Sequence, residues 1–421
     1  MLLNDGQVLM GCPGCDLLVV SEKLGAGESG YCPRCGTKIV SAPRRDLATI
    51  ILCFSLAGLL FYIPAIFSPL LTMDAMGLTD QGSILKGAIT FYHAGFSLVA
   101  VVVLLTSVLL PLVKHLLLFT ASLTLQFGYR PRWIGYLLRL YNNLWEWGMD
   151  EVYLIGIMVT LIKVHSMATI HYEIGFFAFL GLVVCTVGLS LCYNPHYFWG
   201  NVDQSQVKGD GIEGMFVADS ARESGLMLCH DCLLLFKEPG HTAGGPLVCP
   251  RCESPAHFRK NNSLTRTWAL LIAATILFFP ANFLPIMSVT FLGSVEQSTI
   301  MDGILYFFNH GSFGIGVIIL TASIFVPLFK MVGLFLILLS IHFKWESWLR
   351  HKTAMLRFIV FIGRWSMLDI FVIALLCALV DFSVISSVAA APAVSYFSGV
   401  VVLTMLAAHA FDSRLLWDTK P

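Results

Sequence analysis

Eight cysteines stand in two identical patterns. Cys12, Cys15, Cys32 and Cys35 read C-x2-C, 16 residues, C-x2-C, and Cys229, Cys232, Cys249 and Cys252 repeat that spacing. Two tight knuckles offering two thiolates each suit a tetrahedral Zn²⁺ ion. In Cys32-Pro33-Arg34-Cys35-Gly36 the proline fixes one dihedral and the glycine permits the turn that aims backbone N–H groups at sulfur. Iron of the rubredoxin kind takes similar ligands, and redox-active thiols are a third chemistry. A closed four-cysteine site leaves no open coordination position, which points to a structural or docking role. The link Cys229-His230-Asp231-Cys232 has no proline. Cys53, Cys185, Cys192 and Cys377 fall in or near apolar runs and are expected to pack as small apolar side chains.

A second polar set lies inside apolar runs: Lys114 and Lys330, Glu151 and Asp369, Thr186 and Thr404, Ser107 and Ser323. An isolated charge at the centre of a spanning helix costs roughly 2.5–3.5 kcal/mol, so pairing is expected. The order of the chain predicts a Lys330–Asp369 pair joined by Thr404 and Ser323, with a counterpart at Lys114, Glu151 and Thr186. Such pairs either lock helices together, with lysine snorkelling to the interface, or gate a substrate path or carry protons. His93, His115, His165 and His310 are scattered and form no ligand spacing.

The elements that position these residues are membrane helices. The chain has 421 residues, 57% hydrophobic and 12% charged, whereas soluble domains carry roughly 25% charge. Eight apolar runs are long enough to cross a bilayer: 47–67, 96–120, 149–169, 174–193, 267–289, 313–341, 366–386 and 391–411. The first starts too late and runs too long for a signal-peptide core, so it is expected to be retained. Arg130, Arg132, Arg139, Lys344, Arg350, Lys352, Arg357 and Arg364 follow runs two and six. Arg44 and Arg45 precede run one, and Lys260 and Arg266 precede run five. The loops on the other face hold only Lys86 and Lys163. The positive-inside rule places both termini and the central linker in the cytoplasm. The segments 131–147 and 345–364 mix basic residues with Trp, Leu and Tyr and read as interfacial amphipathic helices. The net charge of +0 offers no lure for nucleic acid.

The chain is a tandem repeat at an offset of 216 to 218. Beyond the cysteines, Pro64-Ala65-Ile66-Phe67-Ser68-Pro69 matches Pro280-Ala281-Asn282-Phe283-Leu284-Pro285, and Gly87 and Gly95 match Gly303 and Gly311. Pro111-Leu112-Val113-Lys114 matches Pro327-Leu328-Phe329-Lys330. Trp147-Gly148-Met149 matches Trp365-Ser366-Met367, which sets Glu151 against Asp369. An even number of helices per half makes the repeat parallel, with a cavity expected between halves. Prolines 64, 69, 280 and 285 are expected to break the outer ends of runs one and five, and either shape an outward-facing pocket or mark a simple helix end. The expected architecture is an all-α polytopic membrane protein of five regions: a zinc ribbon at 1–46, a four-helix bundle at 47–195, a linker with the second ribbon at 196–266, a second bundle at 267–412 and a tail at 413–421. No Walker A, H-E-x-x-H or G-x-S-x-G sequence is present and no G-x-G-x-x-G is expected after a strand, so the chain does not read as an enzyme and any driving force is expected from an ion gradient or a partner.

Tandem cysteine knuckles, each followed by four helices with P-A-x-F-x-P, P-L-x-K, W-x-M and an acidic residue, resemble the paraquat-inducible protein A family over nearly the whole chain. The resemblance implies a protein of the Gram-negative inner membrane, paired with an MCE-domain protein that forms a periplasmic tunnel, which moves phospholipid between inner and outer membranes. A non-transporting anchor for that tunnel, or a zinc-ribbon stress sensor, are the alternatives. Lys163 aligns with Asp381, so the halves differ in charge at that outer end, which points to one half carrying the main path.

Overall fold

The computed structural model describes residues 8–21, 25, 27–42, 46–75, 78–129, 131, 133–164, 169–202, 220–237, 247–291, 294–309, 311, 313–380 and 386–418. Arg44, Arg45, Arg130, Arg132, His165, His310, Asp381 and the side chain of Lys163 lie outside that set.

The first ribbon is two hairpins, β1 (Val8–Gly11) with β2 (Leu18–Ser21) and β3 (Ser29–Tyr31) with β4 (Lys38–Ser41), and each turn is a cysteine knuckle. After the second cysteine of every knuckle in the protein the backbone turns left-handed: Asp16 at φ 64°, Gly36 at 72°, Leu233 at 55° and Glu253 at 56°. Glycine, the residue that adopts this conformation freely, marks only one of the four.

The first bundle follows. α1 (Leu47–Phe67) leads to the hairpin β5 (Leu71–Ala75) and β6 (Leu78–Gly82), then α2 (Ile84–His93). α3 (Ser97–Leu104) and α4 (Leu110–Gln126) are one continuous rod joined by a π-helical turn at Leu105–Leu109. α5 (Trp133–Leu144), α6 (Asp150–Val164), β7 (Thr169–Tyr172), α7 (Ile174–Cys192) and α8 (Pro195–Gly200) complete it. The second ribbon contributes β8 (Leu226–Leu228) and β9 (Leu235–Lys237). The second bundle repeats the plan with α9 (Ser263–Phe283), β10 (Met287–Phe291), β11 (Ser294–Ser298), α10 (Ile300–Asn309), α11 (Phe313–Leu320), a π-helical turn at Thr321–Phe325, α12 (Val326–His342), α13 (Leu349–Gly363), α14 (Leu368–Leu379), β12 (Ser386–Ala390) and α15 (Ala393–Ala410). The antiparallel sheets β6-β5-β7 and β11-β10-β12 lie at the bundle ends away from the ribbons, a feature that hydropathy did not reveal because their strands are only four or five residues long.

One expectation is qualified and one corrected. Among the described residues, seven helical runs are long and apolar enough by themselves to cross a bilayer, beside the eight apolar runs of the sequence. The run expected at 149–169 is the 15-residue α6, and the run expected at 366–386 is the 12-residue α14, which continues from α13 as one rod of 31 residues. α6 and α14 pack on one another at the junction of the halves, Tyr153 against Phe371 with ring centroids 5.1 Å apart, and every residue of α14 is buried. A helix enclosed by protein need not match the hydrocarbon thickness that sets the length of a lipid-facing one. Second, Pro64 and Pro280 do not break their helices. Both lie within the last turn, and the backbone closes beyond them, Ser68 N–H donating to Pro64 O at 3.1 Å and Leu284 N–H to Pro280 O at 3.0 Å. A proline so near a terminus forfeits a single backbone bond.

The ribbons cross over. Cys229, Cys232, Cys249 and Cys252 pack into the core of the first bundle with Leu138, Tyr141 and Trp199. The first ribbon packs on Trp417, which is half-buried and lies against the core of the second bundle.

Candidate functional site

Each cysteine quartet is buried, with its sulfurs within 4.8 Å of one another. Cys12–Cys35 and Cys15–Cys32 are 3.5 Å apart, as are Cys229–Cys252 and Cys232–Cys249. A tetrahedron with metal–sulfur bonds of about 2.3 Å has edges of roughly 3.8 Å, so the spacing fits a four-thiolate ion. Four thiols this close, removed from water, cannot all ionise without a cation among them. All eight are free of disulfides. Thr37 touches Cys35 at 3.1 Å and Ser254 touches Cys252 at 3.0 Å, further polar contacts to sulfur. Both quartets can therefore bind a metal ion.

A charge cluster holds the ribbons together beneath the bundles. Arg259 pairs with Asp16 at 3.0 Å and grips both carboxylate oxygens of Asp418, at 2.7 and 2.6 Å. Arg414 forks onto Asp412 with two contacts of 3.1 Å and reaches His230. Burial raises the pKa of Asp16 against the pull of Arg259 and Arg414. Burial acts the same way on Asp412, but the Arg414 hydrogen bonds outweigh it and hold the carboxyl at about 2. Burial, with Arg414 beside it, lowers His230 to about 4. Sequence reading missed this cluster, because Asp16, His230, Arg259 and the tail residues Asp412, Arg414 and Asp418 come together from separate parts of the chain.

Within the bundles the two halves differ. In the first, Lys114 pairs with Asp150 at 3.5 Å, both side chains almost wholly buried, and Thr186 lies beside the carboxylate. The expected partner Glu151 is corrected: it turns to Arg364 of the other half at 3.7 Å and is 32% exposed. Successive helical residues point about 100° apart, so the acid that the repeat aligns with Asp369 faces away from the lysine. Gly148 makes room for the ammonium, since a Cβ there would sit 2.2 Å from Lys114 Nζ.

In the second half no ion pair forms between Lys330 and Asp369, which corrects the pairing expected there. Lys330 Nζ donates to Thr404 Oγ1 at 2.9 Å, with both residues buried. Leu368 stands where Asp150 stands in the first half, and Ser366 replaces Gly148. Asp369 points instead toward the π-helical turn, where Ser323 lies beside it and donates to Ile319 O at 2.6 Å. Ser107 makes the equivalent bond to Val103 O at 2.6 Å. Each π turn sits just ahead of Pro111 or Pro327, which lack the amide that would bond one turn back. Such turns occur often at functional sites.

Asp369 Oδ2 is buried and unpartnered. It lines a cavity of about 60 Å³ with Ser323, Gly303, Phe307, Ile286 and Ile373, several times the roughly 10–15 Å³ that one water needs. The cavity exists because α10 stands off at Gly303, where a Cβ would meet nothing within 4 Å. The repeat partner Gly87 is pressed on the central helix, where a Cβ would lie 3.0 Å from Ala374 O. One helix packs down and its repeat mate leaves a pocket over an acid.

Among known proteins, the family described as paraquat-inducible protein A matches residues 49–203 and 264–420. "Lipophilic envelope-spanning tunnel protein A" of Escherichia coli K12 is 33% identical over 97% of this chain and 90% of its own length. "Intermembrane transport protein PqiA" of the same organism is 31% identical, covering 97% and 95%. A "Probable intermembrane transport protein" of Haemophilus influenzae is 30% identical, covering 97% and 95%. No solved structure matches.

Proposed function

The chain belongs to the paraquat-inducible protein A family, and we propose that it is the inner-membrane component of an MCE-type lipid transport system. It moves phospholipid between the inner membrane and a periplasmic tunnel protein, with both termini cytoplasmic and a Zn²⁺ ion in each ribbon. It acts as a transporter and not as an enzyme. The observation that carries the reading is the cavity over Asp369, an unpartnered buried carboxylate in the second half with no counterpart contact in the first. A cavity of about 60 Å³ is too small for a whole phospholipid, so it forms the polar floor of the path. Outward displacement of α10, which is free at Gly303, opens it, and the π turn beside Ser323 supplies the bend. Lys330, Thr404, Ser323 and Asp369 line the path in this reading, while Lys114, Asp150 and Thr186 lock the first half. The five regions at 1–46, 47–195, 196–266, 267–412 and 413–421 are the working modules.

The test is site-specific photocrosslinking in cells, with the crosslinker at Ile373 or Phe307 and lipid-facing controls at Phe61 and Val184. Lipid captured at the first pair above the controls supports transport through the second half. No capture there, with the tunnel partner still crosslinked at the outer loops, overturns it in favour of the anchor reading.

A further inference from the structure

A slot of about 250 Å³ opens between the first ribbon and α13, lined by Pro13, Gly14, Thr353, Leu356 and Val360 with Arg357 beside them. α13 buries Leu349, Thr353, Leu356 and Ile359 on one face and exposes Arg350, Arg357, Phe358 and Phe361 on the other. Basic residues toward one end and exposed aromatics toward the other suit a helix at the inner membrane surface. Arg350 and Arg357 lie two turns apart, and both guanidinium groups converge on the knuckle turn at Gly36, where a Cβ would sit 3.9 and 3.8 Å from them. Arg357 donates to Thr37 Oγ1 at 3.0 Å and to Cys35 O at 3.3 Å. Among the described residues no carboxylate pairs with either arginine, unlike Arg259, Arg364 and Arg414 in the same protein. Two converging cations beside an apolar slot call for an anion carrying a hydrocarbon chain.

We propose that this slot binds an anionic phospholipid of the inner leaflet, its phosphate held by Arg350 and Arg357 and an acyl segment lying along Leu356 and Val360. The slot shares no lining residue with the Asp369 cavity and does not depend on lipid passing through that cavity. The bound lipid clamps the first ribbon to α13, because Arg357 already holds the carbonyl of Cys35 and the hydroxyl that touches its sulfur. Anionic lipid then sets how firmly the first cysteine centre is seated on the membrane.

The experiment uses the full chain in nanodiscs of equimolar phosphatidylethanolamine and phosphatidylglycerol, re-extracted gently and weighed by native mass spectrometry. Wild type retains phosphatidylglycerol preferentially. The Arg350→Gln/Arg357→Gln double variant loses that preference by roughly tenfold to thirtyfold, as expected for two surface cation–lipid contacts. Val360→Trp, which fills the slot and keeps both charges, lowers retention as well. Arg139→Gln, a basic interfacial residue elsewhere, leaves it unchanged. Intact metal content and monodisperse elution establish that each variant is folded. Retention unaffected in the double variant overturns the proposal, and so does loss in the double variant with none in Val360→Trp, since that pattern is general surface attraction without a slot.

Discussion

Asp150 and Glu151 are adjacent acids, and the structure gives them opposite weight. Asp150 has no exposed side-chain surface, and among the described residues the cation paired with it is Lys114, itself 6% exposed. Removing one member of such a pair leaves a buried charge uncompensated, at a cost of about 3–5 kcal/mol. Glu151 meets Arg364 at 3.7 Å with both side chains partly exposed, at 32% and 22%. Pairs of that kind contribute roughly 0–1 kcal/mol. Asp150→Ala is therefore expected to destabilise several times more than Glu151→Ala. At roughly 2–4 °C per kcal/mol for a unit of this size, the apparent melting point falls by about 6–20 °C against about 0–4 °C. Thermal unfolding in one detergent at one heating rate, followed by size-exclusion of the surviving fraction, measures both. The joint change Lys114→Met/Asp150→Leu is expected to recover most of the loss, because an apolar pair replaces two desolvated charges. Equal shifts for the two acids, or a larger one for Glu151, would mean that the repeat alignment identifies the partner of Lys114 and the geometry does not.

Asp369→Asn is expected to cut lipid capture at Ile373 while leaving metal content and melting point near wild type, since among the described residues no cation pairs with that carboxylate; unchanged capture counts against the path. Thr404→Val removes the side-chain hydrogen bond that buried Lys330 makes among the described residues and is expected to cost about 1–3 kcal/mol, read as a lower melting point; no shift would mean that Lys330 finds another partner. The full chain is expected to bind two equivalents of metal by elemental analysis. Cys232→Ser is expected to lower the melting point more than Cys15→Ser, because the second quartet lies in the core of the first bundle; the opposite ranking contradicts that packing. The Asp412 carboxyl, held at about 2, contributes stability that is present above the ordinary carboxylate range near 4 and is lost as pH falls through about 2, on the order of 2 kcal/mol. Arg414→Ala is expected to remove that dependence, as seen in melting curves across this window.

What the sequence determined by itself was local or periodic. Cysteine spacing named both quartets because a knuckle is closed within four residues. The apolar runs found the membrane helices because crossing hydrocarbon demands length, and the doubled order of prolines, glycines and charges gave the tandem plan. It exposed one left-handed knuckle turn, Gly36, and hid three, since Asp16, Leu233 and Glu253 carry no mark of that backbone. Only the tertiary structure decided the rest. Whether Asp150 or Glu151 meets Lys114 turns on a rotation of about 100° per residue, finer than a repeat alignment resolves. Of the two partners expected for Lys330, Thr404 of α15, 74 positions away, reaches it and Asp369 does not. α14 is buried along its whole length where it packs on α6 between the halves, and burial between halves is a property of packing. The cavity over Asp369 arises because α2 packs down at Gly87 while α10 stands off at Gly303, two glycines that the sequence presents as equivalent.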